Sequence, residues 1–275
     1  MHTTPTLREA LFIKSLSLIP KHEKIALLTH ILDIDQTYLA FHGNQVLSTD
    51  QLKQYLLLAE KLQQGVPLQY LTKQAFFYGL SLYVDSRVLI PRPETEIMVE
   101  TVIQNFPDAK TILDVGTGSG AISKALAVNL PKSQVTALDI CPDALQVAQR
   151  NLQEHSNINL IQSDLLSEIH TPSFDVICAN LPYIGTEKFA GVDANVIEHE
   201  PKKALFAGPD GLDLYRRLFT QIRNKNIQFQ VLYIELADNQ SKMATQVAQL
   251  LLPNTQIKPI KDLNQKIRFL EIKPQ

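Results

Sequence analysis

Two short stretches of this chain carry residue types suited to chemistry. The first is Asn180-Leu181-Pro182-Tyr183, which follows the apolar run Phe174–Ala179. That run reads as a buried parallel strand, so the tetrapeptide falls at the carboxyl edge of a sheet, where open α/β folds bind ligands. Pro182 has a fixed φ and no N–H, and it biases Leu181 toward an extended conformation, which leaves backbone carbonyls free to face a ligand. The Asn180 side-chain carbonyl and one such backbone carbonyl can together accept both hydrogens of a planar NH2 group. Tyr183 can then lie flat against the group that carries it. On its own, Asn and Pro after a strand make an ordinary turn. Beside a nucleotide-type loop, the four residues become a candidate site for methylating a planar nitrogen.

Such a loop is the second stretch, Asp114-Val-Gly116-Thr117-Gly118-Ser119-Gly120. The strand Thr111–Val115 feeds directly into it and the helix Ala121–Asn129 leaves it; absent Cβ atoms let the turn tighten and a ligand approach the backbone. Gly116, Gly118 and Ala121 also satisfy a dinucleotide fingerprint, with Asp139 at the spacing of a ribose-binding acid. Asp114 favours the cationic methionine part of S-adenosylmethionine over a pyrophosphate, because two negative groups would repel. Asp139 closes the second strand and is placed to accept from both ribose hydroxyls; the competing role, capping the next helix, suits Asp143 better. Asp164, after the third strand, is placed for an adenine amino group, or is an ordinary turn acid.

These residues need a doubly wound, mainly parallel sheet to bring them together. Strands are predicted at 111–115, 134–139, 158–162, 174–179, 230–236, 256–260 and 267–272, and helices at about 94–105, 120–129, 142–155, 211–225 and 239–251. Before them, residues 7–64 carry helical periodicity, with Ser48 as an N-cap and Gly65 and Pro67 as a stop. Ala75–Val84 reads as a β-hairpin about Gly79. In Val88–Glu96, Pro93 suits a first helical position and Glu96 a first-turn acid, while Arg92, held between two prolines, is expected to face the cofactor cleft. The 275 residues, 45% apolar and 20% charged, suit two globular domains. A formal charge of −2 argues against bulk binding of long nucleic acid. No apolar stretch is long enough to span a membrane and Met1–Pro5 is not a secretory signal, so a cytoplasmic location is expected. Cys141 and Cys178 are read as free thiols, and no metal is assigned. Glu198, His199 and Glu200 are too close in sequence to converge on one ion, and Glu200-Pro201 is read as a pocket wall.

The chain resembles the protein-(glutamine-N5) methyltransferases that modify peptide chain release factors. The resemblance rests on Gly65-Val-Pro-Leu-Gln-Tyr70, the aromatic hairpin, Leu89-Ile-Pro-Arg-Pro-Glu-Thr-Glu96, the glycine loop, Asn180–Tyr183, Glu200-Pro201, Ala204-Leu205 and Asp210-Gly-Leu212. It implies a Rossmann-like class I S-adenosylmethionine-dependent methyltransferase fold with an α/β domain at 93–275, a hairpin linker at 75–92 and a small helical substrate-docking domain at 1–74. By the same resemblance Gly116 through Gly120 and Asp139 would bind S-adenosylmethionine, Leu165 would line the adenine pocket, and Asn180 through Tyr183 would hold the glutamine of the Gly-Gly-Gln motif of class I release factors; Asp114, Asp164 and Asn180 complete the expected cofactor site. No membrane and no direct nucleic-acid partner is implied. Two positions depart from the family pattern: Leu181 stands where proline is common, and Leu236-Ala237 where a glycine often follows the strand. Asn-Leu-Pro-Tyr is also similar to the signature of ribosomal RNA adenine-N6 methyltransferases, which is one rival reading. A non-catalytic nucleotide-binding adaptor is the other.

Overall fold

The computed structural model describes residues 4–186 and 193–275, so the first three residues of the Met1–Pro5 stretch lie outside it. The chain divides into two compact units, Met1–Gln74 and Ala75–Gln275. The first contains α1 (Leu7–Ala10), α2 (Lys21–Leu32), α3 (Gln36–Phe41), α4 (Thr49–Gln63) and α5 (Leu68–Thr72). Short helices need their ends satisfied. Thr6 with Glu9 and Ser48 with Gln51 form reciprocal capping boxes at α1 and α4. Leu7, Leu27, Leu28, Leu47 and Tyr55 meet in the core of this unit.

The second unit opens with the hairpin β1 (Gln74–Phe77) and β2 (Leu80–Tyr83). Its turn residues Tyr78 and Gly79 both have positive φ, 50° and 73°, the backbone that a two-residue hairpin turn needs to match strand twist. Phe77 and Leu82 are buried with the helices of this unit, so the hairpin is part of its core and not a free tether. Next come a 3-10 turn (Pro93–Thr95), α6 (Glu96–Asn105), β3 (Thr111–Val115), α7 (Ala121–Asn129), β4 (Gln134–Asp139), α8 (Pro142–Leu152), β5 (Ile158–Gln162) and β6 (Ser173–Ala179). They are followed by α9 (Ala194–His199), α10 (Asp213–Asn224), β7 (Gln228–Glu235), α11 (Ser241–Leu251), β8 (Thr255–Lys261) and β9 (Ile267–Pro274). Every strand and helix expected in the α/β region is present within about two to three residues of its reading. Pro93 opens the 3-10 turn as anticipated. Glu96 does more than complement a helix dipole: its carboxylate accepts from the Tyr78 N–H at 2.9 Å and holds the hairpin turn.

The sheet order is β5-β4-β3-β6-β7-β9-β8, parallel through β7, with β9 antiparallel to its neighbours. The chain winds from β3 to β4 and β5 on one side, then returns to place β6 on the other. The strand order therefore switches direction between β3 and β6, the place where a crevice opens at the carboxyl edge of such sheets. Alternation along β3 sends Leu113 and Val115 into the apolar layer beneath α10 and α11, and Ile112 into the layer beneath α6 and α7.

Candidate active site

The crevice holds both stretches singled out in the sequence. Val115 pairs with Leu138 on one side and Ala179 on the other, so the glycine loop, Asp139 and Asn180 leave the sheet side by side. Gly116 and Thr117 donate their N–H groups to the Leu138 carbonyl at 2.8 and 2.7 Å, which bends the loop back over β4. A Cβ on Gly116 would lie 2.8 Å from Leu181 Cδ2, whereas one on Gly118 would meet nothing nearer than 4.0 Å. Gly116 is thus a packing glycine and Gly118 (φ 55°) faces open cavity, where a ligand can come against bare backbone.

A cavity of about 480 Å³ opens over this loop, lined by Gly116 to Ser119, Asp139, Ile140, Asp164, Leu165, Asn180, Leu181 and Pro182, with residues 86–89, Pro91 and Arg92 beside it. Its size suits a nucleoside-scale ligand. The Asp139 carboxylate accepts from the Gly118 and Cys141 N–H groups, each at 2.9 Å. A carboxylate has about four acceptor sites, so two are left for a diol. Neither Asp139 nor Asp143 is the N-cap of α8; Cys141 occupies that position without a side-chain bond. Asp164 lines the cavity with its carboxylate paired to Arg217 of α10 at 2.6 Å. Leu165 is buried in the left-handed region at φ 53°, a conformation costing about 1–2 kcal/mol for a residue with a Cβ. Its carbonyl accepts from Ser163 Oγ at 2.7 Å, and Gln221 takes the next N–H.

Asp114 is the expectation that needs correcting. It is fully buried and does not line the cavity, because alternation turns it away from Leu113 and Val115 and under the start of α7. One carboxylate oxygen accepts from Thr117 Oγ1 at 2.7 Å and Ser123 Oγ at 2.6 Å, bracing the loop from below. Its other oxygen is buried without a partner. Burial pushes this carboxyl up to about 6, and it raises Asp139 as well. Together the two acids make the base of the site negative, which disfavours a pyrophosphate and suits a cationic ligand. The bare backbone at Gly118 and the acceptor sites left on Asp139 both fit S-adenosylmethionine.

On the other side of Asn180 lies a second cavity of about 570 Å³, which shares Leu89, Arg92, Asn180, Leu181 and Ala204 with the first. Tyr183 lines this one and Pro182 the other. Asn180 Nδ2 donates one of its two N–H bonds to Thr95 Oγ1 at 3.1 Å, and Oδ1 keeps its acceptor sites for a ligand. Tyr215, buried in α10, accepts from the Leu181 N–H at 3.3 Å and donates to the carbonyl of Glu235. Leucine instead of proline at this position therefore has a structural use: it supplies an N–H that anchors the corner. Gln240 binds the Tyr183 and Asp210 carbonyls at 2.7 and 2.9 Å and fixes the far end. Arg92 lines both cavities as an ion pair with buried Glu200, whose other oxygen accepts from Ile90 N–H at 3.2 Å. Ala237 N–H donates to Gln240, and nothing in the structure explains why residues 236 and 237 lack the family's glycine.

No motif in the sequence assigns a role to Thr95, Asn151, Tyr215 or Glu235. Asn151 binds both backbone groups of Tyr83 and the Ser119 carbonyl, tying hairpin and glycine loop to α8. The only signal for it was a polar residue on the apolar face of a helix.

A parallel sheet whose switch point joins a glycine loop, a strand-end acid and an Asn-x-Pro-Tyr corner defines a class I methyltransferase, a class that draws its methyl groups from S-adenosylmethionine. Comparison with known proteins narrows this. A "Methyltransferase small domain" model matches residues 93–208 and a "PrmC N-terminal domain" model matches residues 12–72. The chain is 34% identical over 251 residues to the release factor glutamine methyltransferase of Bacillus cereus, covering 88% of this chain and 89% of that one. It is 39% identical over 225 residues to that of Streptococcus pneumoniae, covering 81% and 80%. A methyltransferase from Pyrococcus furiosus shares the fold at a TM-score of 0.52, with 18% identity over 82% of this chain and 98% of that one. The chain belongs to the release factor glutamine methyltransferase family.

Proposed function

We propose that this enzyme methylates N5 of the glutamine side chain in the Gly-Gly-Gln motif of class I release factors. The observation that carries this reading is the junction of two cavities at Asn180, one over the glycine loop and one over Tyr183. Gly116–Gly120 would hold S-adenosylmethionine, with Asp139 accepting from the ribose and Asp164 and Leu165 beside the adenine, and when bound it would supply an electrophilic methyl group. Asp114 acts from below, through the loop it braces.

An amide nitrogen is a poor nucleophile because its lone pair is delocalised into the carbonyl. Asn180 Oδ1 and the Leu181 carbonyl accept its two N–H bonds and aim the nitrogen across the junction. Tyr183 packs against the amide plane, and Pro182 keeps the corner from relaxing. Orientation of this kind is worth roughly 7–11 kcal/mol of barrier. The new N–C bond forms as the S–CH3 bond of the donor breaks, the electron pair staying on the sulfur of departing S-adenosylhomocysteine, and the nitrogen's surplus proton, acidic once the methyl has transferred, passes to water. Residues 1–74 dock the partner protein; deleting them should raise KM for the release factor more than it lowers kcat. The discriminating experiment offers labelled methyl donor with either a purified class I release factor or ribosomal RNA. Label on the release-factor glutamine supports the reading, and label on adenine alone overturns it.

A further inference from the structure

The Asn180 amide can point two ways, and only one of them works. With Oδ1 toward the second cavity it accepts an N–H from the substrate; rotated by half a turn it presents an NH2 that repels one. The structure supplies a reason for the choice. Thr95 Oγ1 carries a single proton and gives it to Glu235 Oε2 at 2.6 Å, so toward Asn180 the same oxygen only accepts, and Asn180 Nδ2 meets it at 3.1 Å. Glu235 accepts at its other oxygen from Tyr183 OH at 3.4 Å. Both carboxylate oxygens are thus acceptors, and the polarity of the chain runs one way from the buried acid to the site. Three of the four members are separated by 85 and 140 residues in sequence and converge only in the fold.

We propose that Thr95 and Glu235 are positioning residues that set the Asn180 side-chain amide with its oxygen toward the acceptor glutamine. This rests on the functional reading above and adds to it what orients its central residue. Around Glu235 stand Tyr183 from the corner, Glu94 from the turn before α6, Tyr215 from α10 and Arg268 from β9. Arg268 is engaged with Asp262 at 3.2 Å, and Glu235 forms no ion pair among the described residues. Burial, opposed by the hydrogen bonds from Thr95 and Tyr183, pushes its carboxyl up to about 7. A protonated Glu235 donates to Thr95, Thr95 then donates to Asn180, and the amide turns. Activity should therefore fall as pH drops through neutrality.

The test measures methylation of an intact class I release factor by the full-length enzyme and by Thr95→Val, Thr95→Ser and Glu235→Gln. Misaligned reactants cost on the order of 100-fold, so kcat of Thr95→Val should fall roughly 10- to 100-fold while the donor Kd stays within about threefold. Thr95→Ser, which keeps the hydroxyl, should recover most of that loss, and Glu235→Gln should lose the acid limb of the pH–kcat profile. Wild-type kcat in Thr95→Val overturns the proposal, as does a serine variant no better than valine or an acid limb that persists in Glu235→Gln. Hydrogen exchange of the Asn180 side-chain amide reads the same relay without any substrate: one protected Nδ2–H in the wild type and Thr95→Ser, lost in Thr95→Val. Equal protection in all three overturns the relay. If the wild type labels no release factor yet exchange follows this pattern, the substrate assignment fails and the relay stands.

Discussion

Tyr215→Phe removes one oxygen atom from the most buried part of the site and leaves the ring in place. Tyr215 is 1% exposed, so water does not replace the lost hydroxyl. The Leu181 N–H, which donates to it at 3.3 Å, is left buried and unpaired, and the Glu235 carbonyl loses its short bond. A buried donor stranded in this way costs roughly 1–3 kcal/mol. With a smaller contribution from the carbonyl, the variant should be about 2–3 kcal/mol less stable. For a unit of this size that lowers the thermal midpoint by roughly 4–12 °C. Urea unfolding should show a lower midpoint with an unchanged slope, since the surface exposed on unfolding is the same. A double-mutant cycle isolates the bond. Leu181→Pro has no N–H to strand, so it should cost about 1–2 kcal/mol less in the Tyr215→Phe background than in the wild type. Stability of Tyr215→Phe within about 0.5 kcal/mol of wild type, or strictly additive costs, would refute the claim that this hydroxyl anchors the corner.

Asp139→Ala removes acceptor sites for the donor ribose and the tie to Gly118; calorimetry should show donor affinity weakened by roughly one to two orders of magnitude, and unchanged affinity would remove Asp139 from the site. Gly118→Ala should cost only about 1–2 kcal/mol of stability for its left-handed backbone, because its Cβ meets no protein atom, yet should block donor binding by occupying the open face of the loop. The pH dependence of stability has a definite sign. Burial raises Asp114 to about 6 and Glu235 to about 7, so the folded state holds their protons more tightly than the unfolded chain, where both titrate near 4. Their contribution is most favourable below that unfolded value and declines as pH climbs through about 6 to 7. Urea midpoints of the ligand-free enzyme should drop across that window, less steeply in Glu235→Gln; midpoints that rise there would contradict the assignment.

The α/β alternation was legible because its strands are short apolar runs and its helices amphipathic, and the switch point follows from strand order once the fold is doubly wound. Asn180–Tyr183 and Gly116–Gly120 were legible because each is contiguous: a strand end and a turn declare themselves within five residues. What stayed hidden depends on direction or on distance. Asp114 was placed at the right loop and on the wrong side of it, although the parity of Leu113 and Val115 already turns it toward α7. Thr95 lies inside a recognised run, but its purpose appears only when β7 brings Glu235 within 2.6 Å. Arg92, between its two prolines, reaches the cleft as its flanks imply, but the ion pair with Glu200 that holds it spans 108 residues of sequence and shows only in the fold.

The central claim is that Asn180 orients the acceptor amide. It is tested most directly by single-turnover methylation of a class I release factor with wild type and Asn180→Ala, alongside donor titration of both. The account predicts label on N5 of the Gly-Gly-Gln glutamine in the wild type. In the variant it predicts a rate reduced by roughly 100-fold or more, with donor affinity within a small factor. A variant that turns over at the wild-type rate, or one whose lost rate is restored by raising the donor concentration, would contradict it.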